Sequence, residues 1–200
     1  MITAASATLL QLLRDELGNA VPNQRITLES PGARQGGAGG SLIGLFLYAV
    51  AESPYLKNEP PTIQDAITRR QPPLTLDLYY LLTAYPSENQ GDPSAGQLLA
   101  HANLALAMRT LYDNGVLAGS RLRSDLSGTD AELRLSLNPI TVEDMTRLWE
   151  VFPEKLYQPS VGYLLTPVPV ESQRTIGPES RVVEDTRVTG QLAGAGSTGA

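Results

Sequence analysis

Few side chains of this 200-residue chain could carry out acid–base or metal chemistry. The chain has no cysteine and a single histidine, His101, so thiolate catalysis, cysteine-ligated zinc and two-histidine metal motifs are excluded. A lone histidine among apolar neighbours in a predicted helix is more often structural than catalytic. There is no Gly-x-Ser-x-Gly elbow to supply a nucleophilic serine. We therefore predict a protein that is not an enzyme and binds no metal or cofactor.

Carboxylate pairs are the other source of acid–base chemistry, and each pair has a simpler explanation. Glu143 and Asp144 fall in the first turn of a predicted helix, where acidic side chains interact favourably with the helix dipole. Glu184 and Asp185 fall in the C-terminal stretch, whose composition is not that of a folded core. Asp77 lies inside an apolar strand pattern. We expect it to face solvent or to pair with an arginine rather than to act in catalysis.

Residues 36–41 are rich in glycine, which could indicate a phosphate-binding loop. Such a loop leads from a strand into a helix and, in its Walker form, supplies a lysine. Here the stretch leads into a strand-like run and contains no lysine. We interpret it as a flexible loop.

Stacking on nucleic-acid bases is the remaining chemistry that the side chains suggest. Tyr79, Tyr80 and Trp149 could stack, but the chain lacks the basic groove that accompanies such stacking. The net charge of −6 is shared evenly by the two halves, so neither half is a nucleic-acid surface. Core packing explains these aromatic residues, and we expect no nucleic-acid partner.

The chain shows no sign of membrane insertion. Its longest apolar run, residues 42–51, is about half of the roughly 20 residues that a membrane-spanning helix needs. Residues 1–17 contain three charged side chains and lack the basic leader and cleavage site of a secretion signal. We expect a soluble protein made in the cytoplasm, without direct membrane insertion.

In the first half of the chain, apolar periodicity predicts one helix and three strands. Residues 3–17 have the spacing of an amphipathic helix. Residues 25–29, 42–51 and 74–85 have strand patterns, with a helix as the alternative for the last. Residues 42–51 are apolar at both parities, which is typical of a central strand covered on both faces. The proline-rich residues 52–73 predict a connecting loop.

The longest predicted helix begins at Asp92 and Pro93, an N-cap acid followed by proline at the first helical position. Gly115 is the expected left-handed residue that ends it. A wide apolar stripe predicts that this helix is the most deeply buried one. The stripe contains Leu98, Ala102, Ala105, Met108 and Tyr112, flanked by Leu104 and Leu111.

The last elements complete an α+β fold, in which a mixed, mainly antiparallel sheet is packed by two or three helices. Apolar and polar residues alternate over residues 131–138, which predicts a strand with one solvent-exposed face. Thr141 and Asp144 form a capping-box pattern before a helix, whose predicted inner side holds Met145, Leu148, Trp149 and Phe152. Residues 161–170 predict a strand near a sheet edge, because two prolines interrupt it.

Composition divides the chain into a folded domain, residues 1–172, and an extended tail, residues 173–200. The tail ends in a run of almost only Gly, Ala, Ser and Thr, which cannot bury enough apolar surface to fold alone.

Several segments together resemble the cap, or tail-terminator, proteins of extracellular contractile injection systems. These are phage-tail-like particles of the virulence-cassette and antifeeding-prophage type. The strongest segment is PLTLDLYYLLTAY at residues 73–85. Others are LFLYAV at 45–50 with Asn58 downstream, AMRTLY at 107–112, residues 135–149, and YQPSVGY at 157–163 continuing to residue 172. Order and spacing fit over residues 3–172, except for the loop at residues 33–41.

The resemblance implies a structural role carried by surfaces. Family members resemble hexameric rings that sit on the last ring of the inner tube and sheath, stop polymerisation and couple the sheath to the tube. The implied partners are further copies of the chain, the inner tube protein and the sheath protein. The particle that contains it is cytoplasmic, membrane-attached or released.

Within the tail, a strand-like segment with flanking arginines is the candidate protein interface. We expect it to reach a neighbouring cap or sheath subunit by strand addition. The candidate interface residues are Arg174, Arg181, Val182, Val183 and Arg187. One alternative is another minor tail or baseplate component of the same machine. An alternative of a different class is a small-molecule-binding domain, with a pocket holding His101 or Asp77.

Overall fold

The computed structural model describes residues 1–34, 39–57, 62–63, 69–87, 92–152 and 154–176. Three α-helices lie within these residues: α1 (Ile2–Leu17), α2 (Pro93–Asp113) and α3 (Val142–Glu150). The strands of the same ranges are β1 (Ile26–Thr27), β2 (Ile43–Glu52), β3 (Thr62–Ile63), β4 (Arg69–Arg70), β5 (Leu74–Ala84), β6 (Val116–Ala118), β7 (Glu132–Leu137), β8 (Ser160–Val170) and β9 (Thr175–Ile176).

Six strands form the main sheet in the order β1-β2-β5-β8-β7-β6. Only the short β1–β2 pair is parallel, and the other four pairs are antiparallel. A second, three-stranded sheet has the order β3-β4-β9. The prediction of an α+β fold with a mixed, mainly antiparallel sheet packed by helices is confirmed.

Strand β5 separates two hydrophobic cores, because successive side chains of a strand point to opposite faces of the sheet. Leu78, Tyr80 and Leu82 face the main core together with α1 and α2. Leu81 faces the other side, where Trp149 and its neighbours on α3 form a smaller core. The helical spacing of leucines in α1 and the strand spacing of β5 therefore predicted their positions correctly. The helix alternative for residues 74–85 is wrong.

Strand β8 lies between β5 and β7, so the prediction that it is near a sheet edge is wrong. Its pairing with β7 runs only from Tyr163 to Thr166. Pro167 and Pro169 follow that stretch, where β8 pairs with β5 but no longer with β7. Proline has no backbone amide hydrogen to donate. The two prolines thus lie in a part of this internal strand that is not hydrogen-bonded to β7.

Strand β8 contains a glycine, Gly162, at a point where the segment that follows β7 packs closely against it. A β-carbon on Gly162 would lie 2.7 Å from the backbone oxygen of Asn138 and 2.5 Å from Cδ1 of Ile140. The Asn138 amide donates a hydrogen bond of 2.9 Å to the Gly162 carbonyl, which holds the two segments together. Any side chain at Gly162 would push them apart.

Three further sequence predictions need correction. Strand β1 is shorter than residues 25–29, because Arg25 belongs to a 3-10 turn, Asn23–Arg25. Strand β2 is buried from Ile43 to Leu45 only, and its last four residues are exposed, so it is not covered along its whole length. The predicted loop at residues 52–73 contains β3 and β4. Of the predicted glycine-rich loop, residues 35–38 lie outside the described residues.

The end of α2 also differs from prediction. Gly115 does not adopt a left-handed conformation. Instead Asn114 caps the helix, with its side-chain amide donating to the Thr110 carbonyl at 2.8 Å. The chain then runs directly into the sheet, where the Gly115 carbonyl accepts a hydrogen bond of 2.8 Å from the Leu135 amide. A side-chain cap therefore replaces the backbone reversal that glycine would provide.

We expect the stability of the fold to be sensitive to alkaline pH, because of two buried tyrosines, Tyr85 and Tyr163. Burial raises the pKa of Tyr163, and burial, partly offset by Arg34, raises the pKa of Tyr85, each to about 12. Both values lie above the unfolded value of about 10, so the stability that these groups contribute is fully present below pH 10. It is lost as pH rises through 12. We expect the free energy of unfolding, measured by chemical denaturation, to fall over this window.

Tyr163→Phe is expected to make that fall shallower, because phenylalanine has no proton to lose. Tyr112→Phe is the matched control, since the Tyr112 side chain is exposed. A pH profile of Tyr163→Phe as steep as that of the unmodified protein would contradict the assignment.

Candidate assembly surfaces

The residues that suggested chemistry do not come together. His101 is exposed on α2, on one side of the main sheet. Asp77 is buried, and among the residues that the structure describes its hydrogen-bond partner is the Thr166 hydroxyl rather than solvent or an arginine. In the described ranges, no group of three or more His, Asp or Glu side chains could hold a metal ion.

Glu143 and Asp144 have the structural roles that their position at a helix start indicates. The Asp144 amide donates to Oγ1 of Thr141 at 3.1 Å, and the same hydroxyl donates to Oδ2 of Asp144 at 2.8 Å. Glu143 pairs with Arg147 one turn later, with an N–O distance of 2.6 Å. The predicted cap of α3 is confirmed. Glu184 and Asp185 lie outside the described residues.

Four residues of the predicted apolar stripe of α2 face outward, so the prediction that it is buried is wrong for them. Met108 is half-buried, and the flanking Leu111 is buried. We call the exposed residues Leu98, Ala102, Ala105, Arg109 and Tyr112 the α2 stripe. At 100° and 1.5 Å per residue they fall within an arc of about 80° and extend for about 21 Å. Leu98 is 66% exposed and Tyr112 is 82% exposed.

The opposite side of α2 explains this orientation. Its buried residues are Gly96, Ala100, Asn103, Ala107, Thr110 and Leu111, all but the last small or polar. A β-carbon on Gly96 would lie 2.5 Å from the Ser87 carbonyl oxygen, so the helix begins in close contact with the preceding loop. Small side chains permit this approach, and the bulkier ones are left outside. An exposed apolar helix face of this kind is a candidate interaction surface.

A groove next to the α2 stripe extends the exposed apolar surface from the helix to the main sheet. It is open and mostly apolar, with a volume of about 610 Å³, and lies between α2 and β7. Met108 and Tyr112 line it from the helix, while Leu135, Leu137 and Tyr163 line it from the sheet. Leu137 is 54% exposed. Together, stripe and groove form one apolar surface on the α2 side of the molecule.

A second exposed surface lies at the end of α3. We call Glu150, Val151, Glu154, Leu156 and Tyr157 the α3 patch. Val151 is 69% exposed and Leu156 is 85% exposed. The Tyr157 ring packs edge-on against Trp149, with 5.5 Å between ring centroids, which anchors the patch to the smaller core. The α3 patch and the α2 stripe therefore belong to opposite faces of the main sheet.

The candidate interface residues of the tail are described only at their start. Arg174 is exposed, and its carbonyl accepts a hydrogen bond of 3.3 Å from the Gln71 amide. Ile176 then pairs with Arg69 in β4, so β9 is an outer strand of the small sheet. The other candidates, Arg181, Val182, Val183 and Arg187, lie outside the described residues.

The sequence did not predict that α2 and the end of α3 present apolar surfaces to solvent. The available signal was the run of small and polar residues at helical spacing on the other side of α2. No helix in the described part of the chain is long and apolar enough to cross a membrane.

Comparison with solved structures shows that the fold is shared with terminator proteins. The sheath/tube terminator of the extracellular contractile injection system PVC, in its extended state, superposes with a TM-score of 0.62 at 16% identity. That match covers 100% of this chain and 65% of the other. The anti-feeding prophage cap, a tube-terminating cap, gives a TM-score of 0.56 at 17% identity, covering 97% and 60%. This chain thus spans less than two thirds of either protein.

The sequence comparisons give one family. No curated protein matches the chain. The profile of the Pvc16 N-terminal domain matches residues 4–184, about nine tenths of the sequence. From the extent of this match, together with a fold shared over the whole chain, we conclude that the protein belongs to the Pvc16 N-terminal domain family.

Proposed function

We propose that this protein is the cap of a contractile injection system. In this role it ends polymerisation of the inner tube and the sheath and couples the distal end of the sheath to the tube. The observation that carries the proposal is the family match over residues 4–184, supported by the fold shared with two terminator structures. The work is done by contact surfaces and not by catalysis.

A terminator must bind the last ring of a filament and must offer no surface to which the next subunit could bind. A closed ring of six copies would supply the symmetry for this, because each copy has both ring neighbours in place and presents the same face to the filament. The exposed apolar residues of α2 and of the α3 end supply surfaces for such contacts. The partners in this proposal are further copies of the chain, the inner tube protein and the sheath protein, within a particle assembled in the cytoplasm.

The tail has a separate part in this proposal. Residues 1–172 act as the ring-forming domain, and residues 173–200 reach a neighbouring cap or sheath subunit, with Arg174, Arg181, Val182, Val183 and Arg187 in the contact. Strand addition is supported by β9, which already continues the small sheet through its pairing with β4. The charged and apolar residues that follow have the composition of a further strand.

Particles made without this protein test the proposal. We expect tubes and sheaths of widely varying length, with sheaths that detach from their tubes, when purified particles are measured by electron microscopy. Supplying the full chain should restore uniform length. Supplying a chain that lacks residues 177–200 keeps β9 and should restore length but weaken sheath attachment. Uniform, intact particles in the absence of the protein would contradict the cap function, and full restoration by the truncated chain would contradict the role of the tail.

A further inference from the structure

We propose that copies of this protein associate head to tail, with the α2 stripe of one copy against the α3 patch of the next. This inference rests on the proposed function, of which it specifies the contact between copies. The sheet lies between the two surfaces, since α2 packs on the main core and α3 on the smaller core. A single chain therefore cannot cover one surface with the other.

Two different surfaces in contact make a heterologous interface, which either closes into a ring or continues as a filament. An open chain of copies would leave one apolar stripe and one apolar patch exposed at its ends. Closure removes both ends and buries every copy of each surface. The exposure of apolar residues on both sides of the isolated chain is what such a ring requires.

The charges of the two surfaces are complementary. Arg109 is the only charged residue of the α2 stripe, and it has no ion-pair partner in the ranges that the structure describes. The α3 patch contains Glu150 and Glu154, which are likewise exposed and unpaired among the described residues. An arginine can pair with a carboxylate through two hydrogen bonds, which fixes orientation as well as charge.

The neighbouring charges on α3 are already engaged within the chain. Glu143 pairs with Arg147, Asp144 bonds to Thr141, and the Lys155 ammonium donates to the Arg34 carbonyl at 2.9 Å. The patch therefore presents acidic groups to a partner. A chain with a net charge of −6 repels its own copies in general, so a second copy needs a local pairing of this kind to dock.

Engineered cysteines can test this contact cleanly because the chain has none of its own. Ala105→Cys places a thiol at the centre of the stripe, and Leu156→Cys places one in the patch; both positions are exposed. The double variant should form a disulfide-linked ladder of several subunits on oxidation. A mixture of the two single variants should stop at dimers, and each single variant alone should remain unlinked. Strong cross-linking of Ala105→Cys alone would indicate a symmetric contact and overturn the proposal.

Charge reversal provides an independent measurement. Arg109→Glu, and separately the pair Glu150→Arg and Glu154→Arg, should each weaken self-association at least 10-fold in sedimentation experiments. All three changes together should restore it. Arg134→Glu is the matched control, because this exposed arginine pairs with Glu132 outside both surfaces. No recovery in the combined variant would overturn the proposed pairing.

The same cross-links should be measured in purified protein and in particles isolated through their sheath. Absence of the 105–156 link in both would overturn the head-to-tail contact. If the protein sits at particle ends without the link, only this contact fails and the cap function stands. If the link forms in solution but the protein is missing from particles, the cap function fails and the contact stands.

Discussion

Ala105→Glu is expected to lower the amount of this protein at particle ends at least 10-fold while leaving its fold intact. Ala105 lies at the centre of the α2 stripe, and a carboxylate there would have to be desolvated in any close contact. A tenfold loss needs only about 1.4 kcal/mol, less than the usual penalty for an unpaired buried charge. Because the residue is exposed and both side chains suit a helix, the thermal midpoint should shift by no more than about 2 °C.

Immunoblots of purified particles measure incorporation, and scanning calorimetry of the isolated protein measures the midpoint. Ser120→Glu is the control, since it adds the same charge at an exposed position in the 3-10 turn Gly119–Arg121, away from the stripe. Its incorporation should match that of the unmodified protein. If Ala105→Glu is incorporated equally well, the outward face of α2 is not an assembly surface.

Leu78→Ala is expected to lower the free energy of unfolding by about 3–4 kcal/mol. The Leu78 side chain is fully buried on the central strand β5, directly opposite Leu165 on β8, which is buried as well. Removing three carbons loses their transfer free energy and leaves a cavity that the rigid sheet cannot fill by collapse. For a domain of this size the loss is a large fraction of the total stability.

Leu74→Ala on the same strand is the matched control, because Leu74 is 46% exposed. It should lower the free energy of unfolding by less than about 1 kcal/mol, since much of its surface is already in water. Urea denaturation of both variants measures the difference. Similar losses for the two substitutions would contradict the difference in burial between Leu78 and Leu74.

In the proposed ring, helices packed on both faces of the sheet would let each subunit act as a wedge. Strand β5 is packed on both sides, by α1 and α2 on one and by α3 on the other. Each assembly surface is therefore fixed to the same rigid sheet. A ring closes at a defined number of subunits only if the angle between the two contact surfaces of each subunit is constant.

Several elements were predictable because their signals are local. The leucines of α1 recur at helical spacing, β5 alternates along its length, and Thr141 is placed to bond the amide of Asp144. The patterns of α1 and α3 each favour one local solution, an amphipathic helix and a capped helix start, while that of β5 favours a strand with a helix as the alternative. The resemblance to cap proteins rests instead on the residues of particular segments, the strongest of which is PLTLDLYYLLTAY at residues 73–85.

The sequence by itself predicted the three helices and the four long strands β2, β5, β7 and β8, and with them the α+β class. The family was predicted separately, from the resemblance of particular segments to cap proteins. Tertiary structure alone decided which side of α2 is buried and where β8 lies. Both faces of α2 contain apolar residues, and the buried one is the face with small side chains, which begins in close contact at Gly96 and includes the buried Ala107. The prolines of β8 are tolerated inside the sheet because the pairing of β8 with β7 ends at Thr166, before them. Such outcomes depend on contacts between distant segments, whose geometry no local pattern specifies.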